Sequence, residues 1–211
     1  MTEQTNTPNS ERFKRAIAAF DAANALDPNL EVLDGQEYPK ELLYAQRMTD
    51  MLALYSPDAS EALRLAVRCQ HIQRWKIPRD AFPMTKPGYH QWRQKLKVFH
   101  AELASTILRE AGYEDVIITR VGALVQKALP LADHEMQTLE DVVVLVFIEH
   151  HLEDFVAAHP EYDMPKLHDI LRKSLRKMSP QGRQATLSMI RLPQPLVPAI
   201  TDVMRQEGWL V

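Results

Sequence analysis

The stretch RCQHIQRWKIPR, residues 68–79, places a histidine, a cysteine, a tryptophan and three arginines within twelve positions. Each residue type has a chemistry. Arginine offers a planar fork of donors that fits a phosphate or carboxylate with two parallel charge-assisted bonds. Histidine exchanges a proton near neutral pH or ligates a metal, and tryptophan supplies a flat wall. Between positions 62 and 97 the basic residues are Arg64, Arg68, Arg74, Lys76, Arg79, Lys86, Arg93, Lys95 and Lys97. Only Asp80 opposes them, a local balance of +8 inside a chain whose net charge is −3. Such segregation creates a field that attracts an anion, or two faces that pair inside the fold.

Helical spacing arranges these groups further. If one helix runs to Pro78, then Arg64, Arg68, His71 and Trp75 share a stripe, because residues three or four apart lie on one face. Arg93, Lys97 and His100 share a face in the same way, as do Arg120 and Lys127. Glu140 and Asp141 precede the apolar run Val142–Ile148 and Glu149 follows it, so these carboxylates need a cation or a donor. Histidines and an aspartate ringed by arginines could hold a metal and an anionic substrate. The competing reading makes His71 and His100 hydrogen-bonded core histidines, with the arginines paired to the acidic sixth helix. His150 and His151 are adjacent and point about 100° apart on a helix, so they suit a solvated helix end better than one ion. Cys69 lies among apolar residues and reads as an inert small hydrophobe. No HExxH, CxxC, GxGxxG or P-loop pattern occurs.

The elements that must position these residues are helices. Phe13, Ile17 and Phe20 mark a first helix that ends at Asp27-Pro28, and LEVLDGQEYP reads as a turn-rich connection. A second helix begins near Lys40 and stops at Ser56-Pro57; a third starts near Ser60 and ends at Pro78. PRDAFPMTKPGY reads as loop, and a fourth helix covers about Tyr89 to Glu110. DVIITRVGALVQKAL supplies a fifth, and HEMQTLEDVVVLVFIEHHLEDFVAAH a sixth, buried despite the strand propensity of its valines. A basic amphipathic helix over MPKLHDILRKSLRK follows, then an element capped by Ser179 with Pro180 at its first position, and a short last helix reaching Trp209. The expected fold is all-α, a single globular helical domain. It comprises a frayed tail over 1–10, a core over 11–160 and a C-terminal helical extension over 161–211.

Composition sets the class. Hydrophobic residues are 45% and charged residues 25% of 211, which builds a real core. Six glycines are too few for a glycine-loop nucleotide fold, and one cysteine excludes an internal disulfide, as in a reducing compartment. The N-terminal residues lack the apolar core of a targeting signal, and a seven-residue apolar run is too short to span a bilayer. The expectation is a cytoplasmic protein with no membrane partner.

Three similarities bear on function. His71-Ile72 and Lys177–Ser179 resemble fragments of the class I aminoacyl-tRNA synthetase signatures, but HIQR and KMSPQ do not complete them, and the nucleotide-binding sheet they belong to is not predicted. DAANALDPN, ELLYAQRMTDML, RCQHIQRWKIPRDAFP, GYHQWRQKLKVFHAELASTIL, LEDVVVLVFIE and RKMSPQGR together resemble the uncharacterised domain-of-unknown-function family 4202, which implies no activity. More distantly, the order of elements resembles the HD-domain phosphohydrolases, all-helical enzymes with metal ligands in the order His, His-Asp, Asp. That resemblance implies an HD-like helix arrangement with His71 at the doublet histidine, Ile72 in place of its aspartate, Asp141 at the last aspartate and His100 on the intervening helix. Tyr44 stands nearest the first histidine. It implies His71 and Asp141 as the catalytic centre, and His71, His100 and Asp141 as ligands of one divalent transition-metal ion.

Together these readings predict a protein that binds or hydrolyses a phosphorylated or nucleotide-type small anion. Arg68, Arg74, Arg79, Arg93 and Lys127 would hold the anion, and Trp75 and Trp92 would wall the pocket. The alternative is a noncatalytic module that binds RNA or a protein through the basic 62–97 stretch.

Overall fold

The computed structural model describes residues 11–210, so the tail expected over 1–10 lies outside the described residues. The architecture is predominantly all-α. Ten α-helices follow one another among the described residues: α1 (Glu11–Asn24), α2 (Lys40–Tyr55), α3 (Glu61–Cys69), α4 (Lys86–Glu110), α5 (Asp115–Gln126), α6 (His134–His150), α7 (Leu152–Ala157), α8 (Met164–Leu175), α9 (Pro180–Ser188) and α10 (Val197–Gln206). No described helix is long and apolar enough to cross a membrane. The chain divides into two compact units, Met1–Pro130 and Leu131–Val211. Within the second unit α6 packs against α9.

In the first unit α4 packs against α5, α3 against α2 and α5, and α1 against α3 and α4. The core includes Phe20, Met48, Leu52, Leu65, Cys69 and Leu108, all essentially inaccessible. Arg68 joins α3 to α1. Its Nε and Nη2 each donate to a carboxylate oxygen of Asp21 at 2.7 Å, and Nη1 donates to Thr49 at 3.1 Å.

The connection before α2 is a β-hairpin: β1 (Leu30–Leu33) pairs antiparallel with β2 (Gln36–Pro39). Asp34 and Gly35 both take positive φ, 51° and 79°, which a two-residue turn between right-twisted strands requires. The third helix also departs from expectation. It stops at Cys69, nine residues before Pro78, and a turn and a short 3-10 segment at Arg74–Lys76 follow. Gln73 there adopts a left-handed conformation, φ 49°, and its amide donates to Asn24 Oδ1 at 2.9 Å. A buried side chain thus captures the amide that would have continued the helix, and the single stripe of Arg64, Arg68, His71 and Trp75 does not form.

In the second unit the valine run is helical, as its polar flanks indicate, but it breaks at His151 into α6 and α7. Ser179 caps α9 by accepting from the Gly182 amide at 2.9 Å, with Pro180 in the first turn. Asp141 secures that cap from α6: its oxygens accept from the Ser179 amide at 2.8 Å, the Ser179 hydroxyl at 2.6 Å and Gln137 at 3.0 Å. A Cβ at Gly182 would meet the Asp141 carboxyl at 2.6 Å. Gly182→Ala is therefore expected to lower stability by about 1–3 kcal/mol, the scale of overpacking a tight site. Thermal denaturation checks it, and an unchanged melting temperature would show that the α6–α9 contact has slack.

Candidate functional site

The site of the first unit is assembled at Asn24, the last residue of α1. Its side chain is buried. Besides taking the Gln73 amide, its Nδ2 contacts the Glu41 carbonyl oxygen at 3.4 Å. Asp27 fastens the same corner, accepting the Glu41 amide at 3.0 Å and the Asn29 amide at 2.9 Å. The first turn of α2 and the turn after α3 are thereby held together, which places Glu41 beside His71 and Arg74.

His71 stacks on Tyr44, with ring centroids 4.5 Å apart, and lies 5.9 Å from the His100 ring. Arg74 Nη1 stands 3.3 Å from His71 Nε2. A guanidinium only donates, so Nε2 accepts and the ring proton sits on Nδ1, 3.7 Å from Glu41 Oε2. His100 has the same tautomer for another reason: its Nδ1 faces the Ile72 carbonyl at 2.7 Å, which only accepts. Its Nε2 is buried and makes no hydrogen bond among the described residues. Burial, then the nearby Arg74, hold the His71 imidazole well below its ordinary range. His100 is brought down to about 4, chiefly by burial against the opposing Ile72 hydrogen bond. Both rings are neutral at neutral pH. Burial pushes the Glu41 carboxyl up to about 7, against the pull of Arg74.

Two openings meet at Arg74. One is a narrow crevice of about 10 Å³ lined by Gln70, His71, Arg74, Arg93, His100 and Lys127 among others. The other is a cleft of about 690 Å³ bounded by Asp27, Lys40, Glu41, Arg74, Trp75 and Trp92 among others. The Arg74 guanidinium lies over the Trp92 ring at 4.8 Å, and the Trp92 indole N–H donates to the Ile77 carbonyl at 2.8 Å.

Of the residues expected to form a site, His71, Arg74, Arg93, His100 and Lys127 line the crevice, and Arg74, Trp75 and Trp92 line the cleft. Arg68 is engaged by Asp21 and Arg79 by its own loop, donating to the carbonyls of Phe82 at 3.1 Å and Pro83 at 2.9 Å. Asp141 belongs to the second unit and holds the Ser179 cap. Among the described residues no group of three or more His, Cys, Asp or Glu side chains could hold a metal ion. The lone pair of His71 Nε2 meets a guanidinium, and the crevice wall is cationic. These residues do not fit the divalent metal that the HD resemblance implies.

Glu41 is the site residue that periodicity missed. An acidic residue in a first turn is ordinary helix-dipole chemistry, so its type and place carry no flag. Cys69 is buried, and burial raises its thiol, in keeping with an inert hydrophobe.

The pH dependence of stability follows from these shifts. Glu41 holds its proton to about pH 7 when folded but only to 4.5 when unfolded, so its contribution falls as pH rises between those values. His100 acts in the opposite sense: its stabilisation is complete above pH 6.5 and is lost as pH falls through about 4. Glu41→Gln is expected to raise stability by up to about 3 kcal/mol at pH 8 and to change little at pH 4. Urea titrations at the two pH values measure it; an equal effect at both would contradict a buried, proton-holding carboxyl.

No curated protein and no solved structure matches the chain. One family model does, described as a domain of unknown function, DUF4202, and it covers residues 14–200. That span holds Asn24, Asp27, Glu41, His71, Arg74 and His100. The chain belongs to the DUF4202 family.

Proposed function

We propose that the first unit binds a small phosphorylated anion of the nucleotide type at Arg74. The observation that carries this reading is the state of that arginine. Its guanidinium is three-quarters buried, yet its hydrogen-bonding contact among the described residues is a neutral imidazole, and Glu41 Oε1 lies 4.0 Å away. Burying a cation with most donors unused costs free energy unless an anion completes it. Arg93 adds a second cation on the crevice wall, with no hydrogen bond or ion pair among the described residues. The adjoining cleft has the size of a ligand pocket, within the roughly 300–1,000 Å³ such sites occupy, and Trp75 and Trp92 give it flat walls suited to a base. The phosphate would meet Arg74 and Arg93, and the organic part would extend along the tryptophans.

The resemblance to the HD phosphohydrolases supports the same ligand class, by analogy alone. RNA binding through the 62–97 stretch draws less support. Arg64, Arg68 and Arg79, three of its nine basic residues, spend their donors on the chain itself. A buried unpaired thiol suits a reducing compartment such as the cytoplasm.

Titration with inorganic phosphate, sugar phosphates and nucleoside mono-, di- and triphosphates, followed by tryptophan fluorescence and melting temperature, tests the proposal. At least one nucleotide is expected to quench fluorescence and raise the melting temperature, and Arg74→Met to weaken it about tenfold or more, the weight of a charged hydrogen bond. Arg68→Met should instead lower stability by about 3 kcal/mol, as breaking a buried pair does, while leaving affinity unchanged. No response across the panel, or equal affinity in Arg74→Met, would overturn the reading.

A further inference from the structure

We propose that the narrow crevice is the seat of one attacking water molecule, and that His100 takes its proton during hydrolysis of a phosphate monoester bound at Arg74. This rests on the anion-binding reading above and adds a reaction to it.

Three features of the crevice specify its occupant. Its free volume of about 10 Å³ suits one water-sized group and excludes a phosphate. Two of the residues that line it carry a buried acceptor with no hydrogen-bond partner among the described residues: His100 Nε2 and Gln70 Oε1. A buried acceptor left unmet costs roughly 1–3 kcal/mol, and a water is the smallest group that satisfies two at once, donating one hydrogen to each. The third feature is the position of Arg74, which lines both the crevice and the wider cleft. A phosphoryl group held there lies at the mouth of the crevice. With both hydrogens committed to His100 and Gln70, the water is left with its lone pairs to present to phosphorus.

The step balances without a cofactor. The water O–H bond facing His100 breaks and its proton passes to Nε2. The water oxygen forms the new P–O bond. The ester P–O bond breaks, its electron pair stays on the departing oxygen, and that oxygen takes a proton from solvent in the open cleft. His100 returns its proton to solvent, leaving an alcohol and inorganic phosphate. The Ile72 carbonyl keeps the ring in register and, as acceptor of the Nδ1 proton, stabilises the imidazolium that forms. Burial does most to hold His100 down in the free protein, and Arg74 and Arg93 add to it. An anion bound to them offsets that effect, so the base strengthens when substrate is present.

The test measures phosphate release from nucleoside monophosphates and sugar phosphates by the full chain in EDTA, alongside binding of the same compounds. The expected result is release by wild type, with His100→Gln lowering kcat about 100-fold or more, the weight of a general base, and the dissociation constant changed by less than about threefold. Binding without release, or release only on adding a divalent ion, would overturn the water assignment and leave the anion-binding reading standing. Absence of binding would overturn both. Should His100→Gln not fold, the nitrogen shifts of His100 in the wild-type protein decide. A proton on Nδ1 with a bare Nε2 supports the assignment, and a proton on Nε2 overturns it.

Discussion

The buried side chain of Asn24 holds the first unit's site together. One amide group at the end of α1 contacts the backbone of Glu41 through its nitrogen and takes the backbone of Gln73 through its oxygen. Because Gln73 gives its N–H to Asn24, α3 ends at Cys69 and the chain turns. Because the chain turns, the Ile72 carbonyl faces His100, His71 falls against Tyr44 and Glu41, and Arg74 is carried over Trp92. Two of those contacts then set tautomers, since a carbonyl cannot donate and a guanidinium cannot accept. The chemistry of the crevice follows from one captured amide.

That arrangement is electrostatically unusual. Arg74 and Arg93 stand near two imidazoles that burial keeps neutral, and the nearest carboxyl, Glu41, has its own charge discouraged by burial. A structural ion pair looks different, as Arg68 and Asp21 show with two 2.7 Å bonds in a bidentate fork. The contrast between two arginines six residues apart separates a cation that joins helices from one held with donors in reserve.

Much of this was legible in the sequence. Apolar spacing located α1, α2, α4, α5 and α8, and the Ser179-Pro180 pair marked the start of α9. The positions of Arg93, Lys97 and His100 on α4 followed from helical spacing alone, and all three line the crevice. What was not legible is tertiary. Nothing local stops α3 at Cys69; the stop comes from Asn24, nearly fifty positions away. The Asp34-Gly35 turn carried a hairpin signal that a chain otherwise helical made easy to pass over. Glu41 looked like any first-turn acid, and only its burial beside His71 and Arg74 distinguishes it. Arg68 and Arg79 carried the right chemistry but were claimed by Asp21 and by loop carbonyls, a choice that spacing does not encode.

The central claim is that cations held in reserve around His100 await an anion. It is tested most directly by following the His100 ring through a pH titration by NMR, with and without a saturating nucleoside monophosphate. The account predicts a pKa near 4 in the free protein that rises on ligand addition, as the anion offsets Arg74 and Arg93. A His100 that titrates identically in both conditions, or already near 6.5 in the free protein, would contradict it.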